Sequence, residues 1–170
     1  FKNYFVIVFD KPFTYTAAVP NGDIRSGELE ASGNHAGCII GFATKKGEVV
    51  HAKVASSFIS TEQAELNLKE LGTKSFEQLK QSGRERWNEV LGRIEVESSD
   101  VNELSTFYSC LYRSTLFPRM FYEYDAKGNI VHYSPHTGKV EPGYFFTDTG
   151  FWDSFRAEMP LVNLLYPEMA

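Results

Sequence analysis

The spacing of apolar positions divides the chain into a first part typical of strands and a later part typical of helices. Three early runs are rich in β-branched and aromatic residues, as strands are: YFVIVF at 4–9, GCIIGFAT at 37–44 and VVHAKVASSFIS at 49–60. Pro12 and Gly47 lie between these runs as turn residues. We therefore expect β-structure up to Ser60, with Gly41 and Phe42 on one arm of an antiparallel hairpin and VVHAKV on the other.

After residue 60 the apolar positions recur at helical spacing. The pattern Ser-x-x-Gln occurs at 60–63 and at 75–78, and this capping box predicts the starts of two helices. Gly72 is expected to end the first. The second carries an apolar stripe of Phe76, Leu79, Gly83, Trp87, Val90, Leu91 and Ile94. A third helix is predicted from Asp100, with Pro118 as its stop.

The last part of the chain predicts a β-hairpin followed by one helix. The runs MFYEY and IVHYS flank the turn sequence DAKGN at 125–129. The fourth helix is predicted within TDTGFWDSFRAEMPLVNLLYP at 147–167, with Asp148 as its N-cap or as a loop carboxylate. Its apolar stripe is expected to pack in a core and consists of Phe151, Phe155, Met159, Val162 and Tyr166.

Composition narrows the class of protein. The 170 residues are 42% hydrophobic and 15% aromatic, so the chain can bury a core. A formal net charge of -5 argues against binding to duplex nucleic acid, which requires clustered basic residues. Cys38 and Cys110 form no metal motif or disulfide framework, and free thiols are favoured over a bridge. No apolar run approaches the roughly 18 residues that span a bilayer.

Both chain ends lead us to expect a piece of a longer protein. The sequence begins at Phe1 inside a predicted strand, without an initiator Met or the charged segment of a signal peptide. It stops at Ala170, just after an apolar helical segment.

Trp152 and Asp153 suggest two different interpretations. Spacing alone allows a helix in which Asp153 lies near the N-terminus and pairs with Arg156 three residues on. The alternative is a sugar site, because an aromatic face stacks on the C–H groups of a sugar ring while a carboxylate accepts hydrogen bonds from neighbouring hydroxyls.

Other catalytic chemistry finds little support in the sequence. A glycosidase needs two carboxyl groups, and no spacing pairs any two of the candidates Glu123, Asp125, Glu141, Asp148, Asp153 and Glu158. Glu123 and Asp125 are expected at the surface, at the mouth of the hairpin. The four histidines have no metal-binding spacing, and neither G-x-S-x-G nor a phosphate-binding glycine loop occurs.

Four segments, in order along the chain, are similar to glycoside hydrolase family 92. They are VASSFISTEQAELNLKEL (54–71), RWNEVLGRIEVE (86–97), TFYSCLYRSTLFPRMFYEYDAKG (106–128) and GYFFTDTGFWDSFRAEMPLVNLLYP (143–167). The resemblance covers nearly the whole chain and is least distinctive before Thr44. This family comprises bacterial exo-acting α-mannosidases.

The resemblance implies an α+β fragment of a larger architecture. Residues 1–60 would form the C-terminal part of a β-sandwich, 61–98 a helical linker, and 99–170 the truncated start of an (α/α)6 barrel. The active site would lie between sandwich and barrel. The implied reaction is calcium-dependent, inverting hydrolysis of terminal α-linked mannose, with a Glu acid and an Asp base; calcium takes several oxygen ligands and leaves room for sugar hydroxyls.

The resemblance also implies roles for individual residues. Trp152 and Asp153 belong to WDSFR, which commonly reads Trp-Asp-Thr-x-Arg in the family, and would contact the terminal mannose; Ser154 departs mildly from the motif. Phe151 and Asp148 would line the same pocket. The catalytic residues and main calcium ligands are expected beyond Ala170, so that the fragment alone would be inactive.

Two other functions remain open on the sequence. The first is a different (α/α)6 glycosidase, such as an α-glucosidase or trehalase, and the second is a non-catalytic carbohydrate-binding module. By family habit, the expected location is the bacterial periplasm or cell surface, where glycans such as N-glycans are degraded.

Overall fold

The computed structural model describes residues 2–170. Phe1, which the strand prediction included, lies outside the described residues. The chain divides into two compact units, one formed by Phe5–Ala55 and the other by Ser56–Ala170 together with residues 2–4. The structure is a mixture of strands and helices, as predicted. The sandwich, linker and barrel boundaries at 1–60, 61–98 and 99–170 stay predictions.

The first unit consists of strands. They are β1 (Tyr4–Phe9), β2 (Tyr15–Pro20), β3 (Arg25–Ser26), β4 (Ala36–Gly41) and β5 (Ala52–Ser57), of which β1 begins and β5 ends in the second unit. The sheet order is β3-β2-β4, while β1 pairs with β5. The small core of this sheet lies on β2, where Ala17 and Ala18 are buried.

The predicted hairpin between β4 and β5 is wrong. β4 instead pairs with β2, and Gly41 lies directly opposite Tyr15. A Cβ atom at Gly41 would lie 3.0 Å from the Cβ of Tyr15, so the glycine permits the close approach of these two strands. The sequence YTAAVP of β2 was not predicted as a strand, because its central residues are two alanines rather than β-branched or aromatic residues.

Asp10 and His51 connect the chain just after β1 to the chain just before β5. The Nδ1 of His51 lies 2.6 Å from Asp10 Oδ2, and the backbone N–H of His51 donates to Asp10 Oδ1 at 2.9 Å. The hydrogen bond from the His51 ring, together with that from its backbone, lowers the pKa of the Asp10 carboxyl below its ordinary value.

We expect Asp10 to make the stability of the first unit sensitive to acid. A carboxyl with a lowered pKa in the folded state stabilises the fold above its ordinary pKa of about 4, and this contribution is lost as the pH falls through the folded pKa. Asp10→Asn should therefore flatten the fall in urea midpoint as the pH is lowered from neutral through the ordinary pKa of an aspartate carboxyl and below it. Asp23→Asn, in the same unit, is the matched control. Identical pH dependence in wild type and Asp10→Asn would contradict the prediction.

The second unit contains the helices. They are α1 (Thr61–Leu68), followed by a 3₁₀ turn (Lys69–Leu71), then α2 (Phe76–Leu91), α3 (Val101–Ser114), α4 (Phe151–Ser154) and α5 (Glu158–Leu165). Gly72, with φ of +54°, ends the first helical segment as predicted.

The predicted helix starts are confirmed, but only one capping box is complete. Ser75 accepts from the N–H of Gln78 while the Gln78 side chain accepts from the N–H of Ser75. Ser60 likewise accepts from the N–H of Gln63 at 3.1 Å, yet the Gln63 amide donates elsewhere, to the Tyr124 carbonyl at 2.8 Å. The reciprocal half of that box is therefore replaced by a tertiary contact.

Two helix ends differ from the prediction. α2 stops at Leu91, with Gly92 as its C-cap. Ile94, the last residue of the predicted apolar stripe, therefore lies outside the helix. α3 begins after Asp100, whose side chain accepts from the N–H of Asn102 at 2.8 Å. It ends at Ser114, before Pro118 is reached.

Short strands precede α4. They are β6 (Arg119–Met120), β7 (Tyr122–Tyr124), β8 (Ile130–Tyr133), β9 (Val140–Pro142) and β10 (Phe146–Thr147). The predicted hairpin is confirmed as the antiparallel pair β7–β8, and Asp125 shapes its turn by accepting from the N–H groups of Lys127 and Asn129. β9 extends this sheet, while β6 pairs with β10.

A polar network joins this hairpin to α1. Glu123, on β7, is half-buried; its Oε1 accepts from the N–H of Phe58 at 3.0 Å and its Oε2 from the Asn67 amide at 2.6 Å. Asn67 in turn accepts from Gln63 at 2.9 Å. The expectation that Glu123 is a surface residue at the hairpin mouth is therefore wrong.

The C-terminal end of α5 is held against the end of α2. Tyr166 is buried, with 6% of its surface exposed, and its hydroxyl donates to the Val90 carbonyl at 2.9 Å. The guanidinium of Arg93 lies over the Tyr166 ring and binds both the Leu165 carbonyl and Glu168. These contacts give α5 an anchor that does not depend on α4.

Candidate functional site

The stretch predicted as one helix is divided into two. α4 ends at Ser154, α5 begins at Glu158, and Ala157 between them has φ of −132° and ψ of −54°. The prediction of a continuous helix is wrong because of Pro160. In an unbroken helix its ring would clash with the carbonyl of Arg156, whereas in the first turn of a new helix proline is tolerated.

The predicted packing stripe is divided in the same way. Tyr166 is buried, but Phe151 and Phe155 are 69% and 36% exposed. Within the described residues these two phenylalanines are not packed in a core, and their place in the core of the complete barrel stays a prediction. Ser154 is the buried residue of α4.

Aromatic rings gather around one guanidinium at the end of α4. The rings of Phe151 and Phe155 are stacked with centroids 5.6 Å apart, and Trp152 lies 6.0 Å from Phe155. The Arg156 guanidinium carbon lies 5.5 Å from the Trp152 centroid and 5.0 Å from that of Phe155. With 74% of its surface exposed, Trp152 presents its indole to solvent.

Arg156 therefore interacts with rings instead of with Asp153. The predicted i, i+3 ion pair is wrong: across residues 2–170 no salt bridge joins Asp153 to Arg156. A guanidinium stacks well on aromatic faces. The Asp153 carboxylate is therefore not neutralised by the Arg156 guanidinium.

Gly150 makes room for the Asp153 carboxylate. The N–H of Asp153 donates to the Gly150 carbonyl at 3.2 Å, which turns the side chain back toward the start of α4. Asp153 Oδ2 lies 2.7 Å from the position that a Cβ of residue 150 would take. Any residue larger than glycine at this position requires the carboxylate to move.

Asp148 is not the N-cap of α4. That position belongs to Gly150, which makes no side-chain capping bond. Asp148 has a left-handed φ of +67°, and its Oδ2 lies 3.2 Å from Arg119 Nε. It is thus a loop carboxylate, the second of the two predicted possibilities. Nothing in the sequence indicated that Arg119 pairs with Asp148, since two-residue strands leave no recognisable hydrophobic pattern.

Several other chemical candidates have structural partners. Glu141 accepts from the Thr137 hydroxyl at 2.7 Å, and Asp125 belongs to the hairpin turn. His132 donates from Nδ1 to the Gly143 carbonyl at 2.9 Å and stacks on Phe145. No three His, Cys, Asp or Glu side chains in the described chain gather closely enough to hold a metal ion.

Two further features bear on the sequence expectations. Cys38 and Cys110 are both exposed free thiols. Within residues 2–170, no helix combines the length and apolar character required to cross a bilayer.

The residues on α4 combine aromatic side chains with a carboxylate. Phe151 and Trp152 are largely exposed, and Asp153, the next residue in the sequence, is exposed as well. Ring faces stack on the C–H groups of a sugar, while a carboxylate accepts hydrogen bonds from its hydroxyls. The four predicted residues thus lie in two groups, Phe151, Trp152 and Asp153 on α4 and Asp148 in the turn before it.

Comparison with known proteins identifies the family. Residues 63–170 match the model of the glycosyl hydrolase family 92 catalytic domain. Among solved structures, the inverting family GH92 mannosidase BT2199 of Bacteroides thetaiotaomicron VPI-5482 matches 98% of the chain at 43% identity, with a TM-score of 0.93. The family GH92 α-mannosidase BT3965 of Bacteroides thetaiotaomicron matches 95% at 28% identity, with a TM-score of 0.77.

A third solved structure supports the fold alone. The GH92 family glycosyl hydrolase ccman5 matches 98% of the chain at 24% identity, with a TM-score of 0.84. A search of curated proteins finds no match.

The matched structures are much longer than this chain. It spans 23% of BT2199 and 22% of BT3965. The family-model match begins inside α1 and continues to residue 170, so that it includes the whole WDSFR motif. On the strength of that match, the chain belongs to glycosyl hydrolase family 92.

Proposed function

We propose that this chain is one segment of an inverting exo-α-mannosidase that removes terminal α-linked mannose from glycans. The observation that carries the proposal is the exposed Trp152–Asp153 pair on α4, which lies within the family-92 match. Relatives described as mannosidases, one of them inverting, support it.

In this proposal the residues on α4 hold the terminal mannose. The Trp152 indole stacks on the sugar ring, and the Asp153 carboxylate accepts from two neighbouring hydroxyls. Phe151 and Asp148 line the same pocket. The general acid and base that perform the displacement lie outside this chain, so that these residues bind and orient the sugar without transferring its proton.

We extend the proposal to calcium and to cellular location. The described residues hold no group of three His, Cys, Asp or Glu side chains that could bind a metal ion, so these side chains do not by themselves supply a calcium site. Ligands for calcium would belong to other segments of the full-length enzyme. A periplasmic or cell-surface location matches a glycan substrate encountered outside the cytoplasm.

The full-length enzyme provides the test. It should hydrolyse an aryl α-mannoside in preference to the matching α-glucoside, and proton NMR should detect β-mannose as the first product. EDTA should abolish activity, and added calcium should restore it. A chain limited to residues 1–170 should release no mannose above background. Preference for the glucoside, or α-mannose as the first product, would overturn the proposal.

Gly150→Ala should separate activity from stability. The new methyl group would displace the Asp153 carboxylate, because Oδ2 lies 2.7 Å from the Cβ position. A flexible side chain moves at little cost, so the free energy of unfolding should change by about 0.5 kcal/mol or less. A displaced sugar contact should lower kcat/KM of the full-length enzyme for an aryl α-mannoside by about ten-fold, as small misplacements do.

Gly83→Ala is the control for this substitution. Gly83 lies within α2, and a Cβ there meets no atom within 4 Å. Its replacement should leave kcat/KM unchanged. Unaltered activity in Gly150→Ala would contradict the role given to the carboxylate.

A further inference from the structure

Arg119 links β6 to the turn that leads into α4. Its Nε lies 3.2 Å from Asp148 Oδ2, and across the β6–β10 ladder it lies opposite Thr147. The Arg119 guanidinium therefore contacts Asp148, the first residue after β10. Its carbon also lies 5.5 Å from the Phe117 ring centroid, which restricts the side chain from a second direction.

The residue that Arg119 holds has an unfavourable backbone conformation. Asp148 has φ of +67°, a region that residues with a Cβ seldom occupy, although aspartate tolerates it better than most. Such a conformation persists when surrounding contacts hold it. At Asp148 those contacts are the end of the β6–β10 ladder and the ion pair with Arg119.

This turn determines where the predicted sugar contacts lie. Gly150, two residues after Asp148, is the N-cap of α4 and accepts from the N–H of Asp153. α4 is only four residues long, so its direction depends on how the chain enters it rather than on helical cooperativity. A change of conformation at Asp148 would therefore move Trp152 and Asp153 together.

We propose that Arg119 is a positioning residue for the mannose site: by holding Asp148, it fixes the turn at 148–150 and thus the placement of Trp152 and Asp153. The inference rests on the proposed function, since these two residues are the sugar contacts named there. Arg119 does not itself touch the sugar.

The test is a double-mutant cycle in the full-length enzyme with an aryl α-mannoside. Arg119→Gln and Asp148→Asn should each raise KM about five-fold, near the upper limit for an exposed ion pair. The value of kcat should change less than two-fold, because misplaced binding residues weaken ground state and transition state alike. The double variant should match the single variants, since all three lose the same ion pair. Arg119→Lys, which keeps the charge without the planar fork, should show an intermediate KM.

Arg84→Gln, an exposed arginine on α2, is the control and should leave KM unchanged. An unchanged KM in Arg119→Gln, or multiplying effects in the double variant, would overturn the inference. A wild-type enzyme that cleaves a different glycoside would overturn the proposed function, and the same cycle run with that glycoside would still test Arg119. An enzyme that cleaves no glycoside would overturn both.

Discussion

Asp153→Asn should lower kcat/KM of the full-length enzyme for an aryl α-mannoside by about 100-fold or more. Two hydrogen bonds from sugar hydroxyls to a carboxylate contribute about 1.5–3 kcal/mol each, and the amide cannot accept both in the same way. Since Asp153 is exposed, the free energy of unfolding should change by about 0.5 kcal/mol or less. Initial rates and a thermal unfolding curve on the same preparation would measure both effects.

The matched control for Asp153→Asn is Glu65→Gln, which neutralises an exposed carboxylate on α1. It should retain wild-type kinetics. A loss of less than about ten-fold in Asp153→Asn would show that the carboxylate does not bind two hydroxyls, because the smaller estimate for two such bonds already exceeds it.

Glu123→Ala should destabilise the second unit by about 3 kcal/mol. The half-buried carboxylate accepts from the Phe58 N–H and from the Asn67 amide. Hydrogen bonds to a charged group contribute about 1.5–3 kcal/mol each, and their loss leaves both donors without this acceptor. Hydrogen exchange at the Phe58 amide in the full-length protein would report the change locally, as faster exchange through opening of the segment between β5 and α1.

Glu65→Ala serves as the control for this stability effect, because it removes an exposed carboxylate from the same helix that carries Asn67. Exchange at Phe58 should be unaffected by it. If Glu123→Ala changed the opening free energy by less than about 1 kcal/mol, the network would be no stronger than an ordinary neutral hydrogen bond.

Local features of this fold could be predicted from the sequence. The box formed by Ser75 and Gln78 involves residues three apart, and the turn at 125–129 contains its own hydrogen bonds. Gly72 ends a helix through its own backbone freedom. Such features depend on neighbours along the chain, which the sequence displays directly.

Long-range features could not be predicted. β2 pairs with β4 through a glycine opposite Tyr15, and Glu123 meets Asn67 across 56 residues of sequence. Neither contact leaves a periodic pattern. The stripe of the fourth helix failed for a different reason: apolar spacing suggested continuity, whereas Pro160 imposed a break.

The candidate site was predicted in part. Trp152 and Asp153 were identified by their residue types and by a family motif, and both are exposed on α4. Arg119, the ion-pair partner of Asp148, was not predicted, because the two residues come together only through the pairing of β6 with β10. The sequence shows which chemical groups a residue carries, but the residues that contact it across the fold are known only from the structure.

The break before Pro160 also bears on how such a protein can diversify. Tyr166 and Arg93 anchor α5 independently of α4, so changes between β10 and the break alter the ligand-facing surface without removing that anchor. Substitutions at 147–157 can therefore change the side chains around Trp152 and Asp153 while α5 stays held by Tyr166 and Arg93. The part of this stretch that presents side chains to solvent is thus separable from the part that holds the unit together.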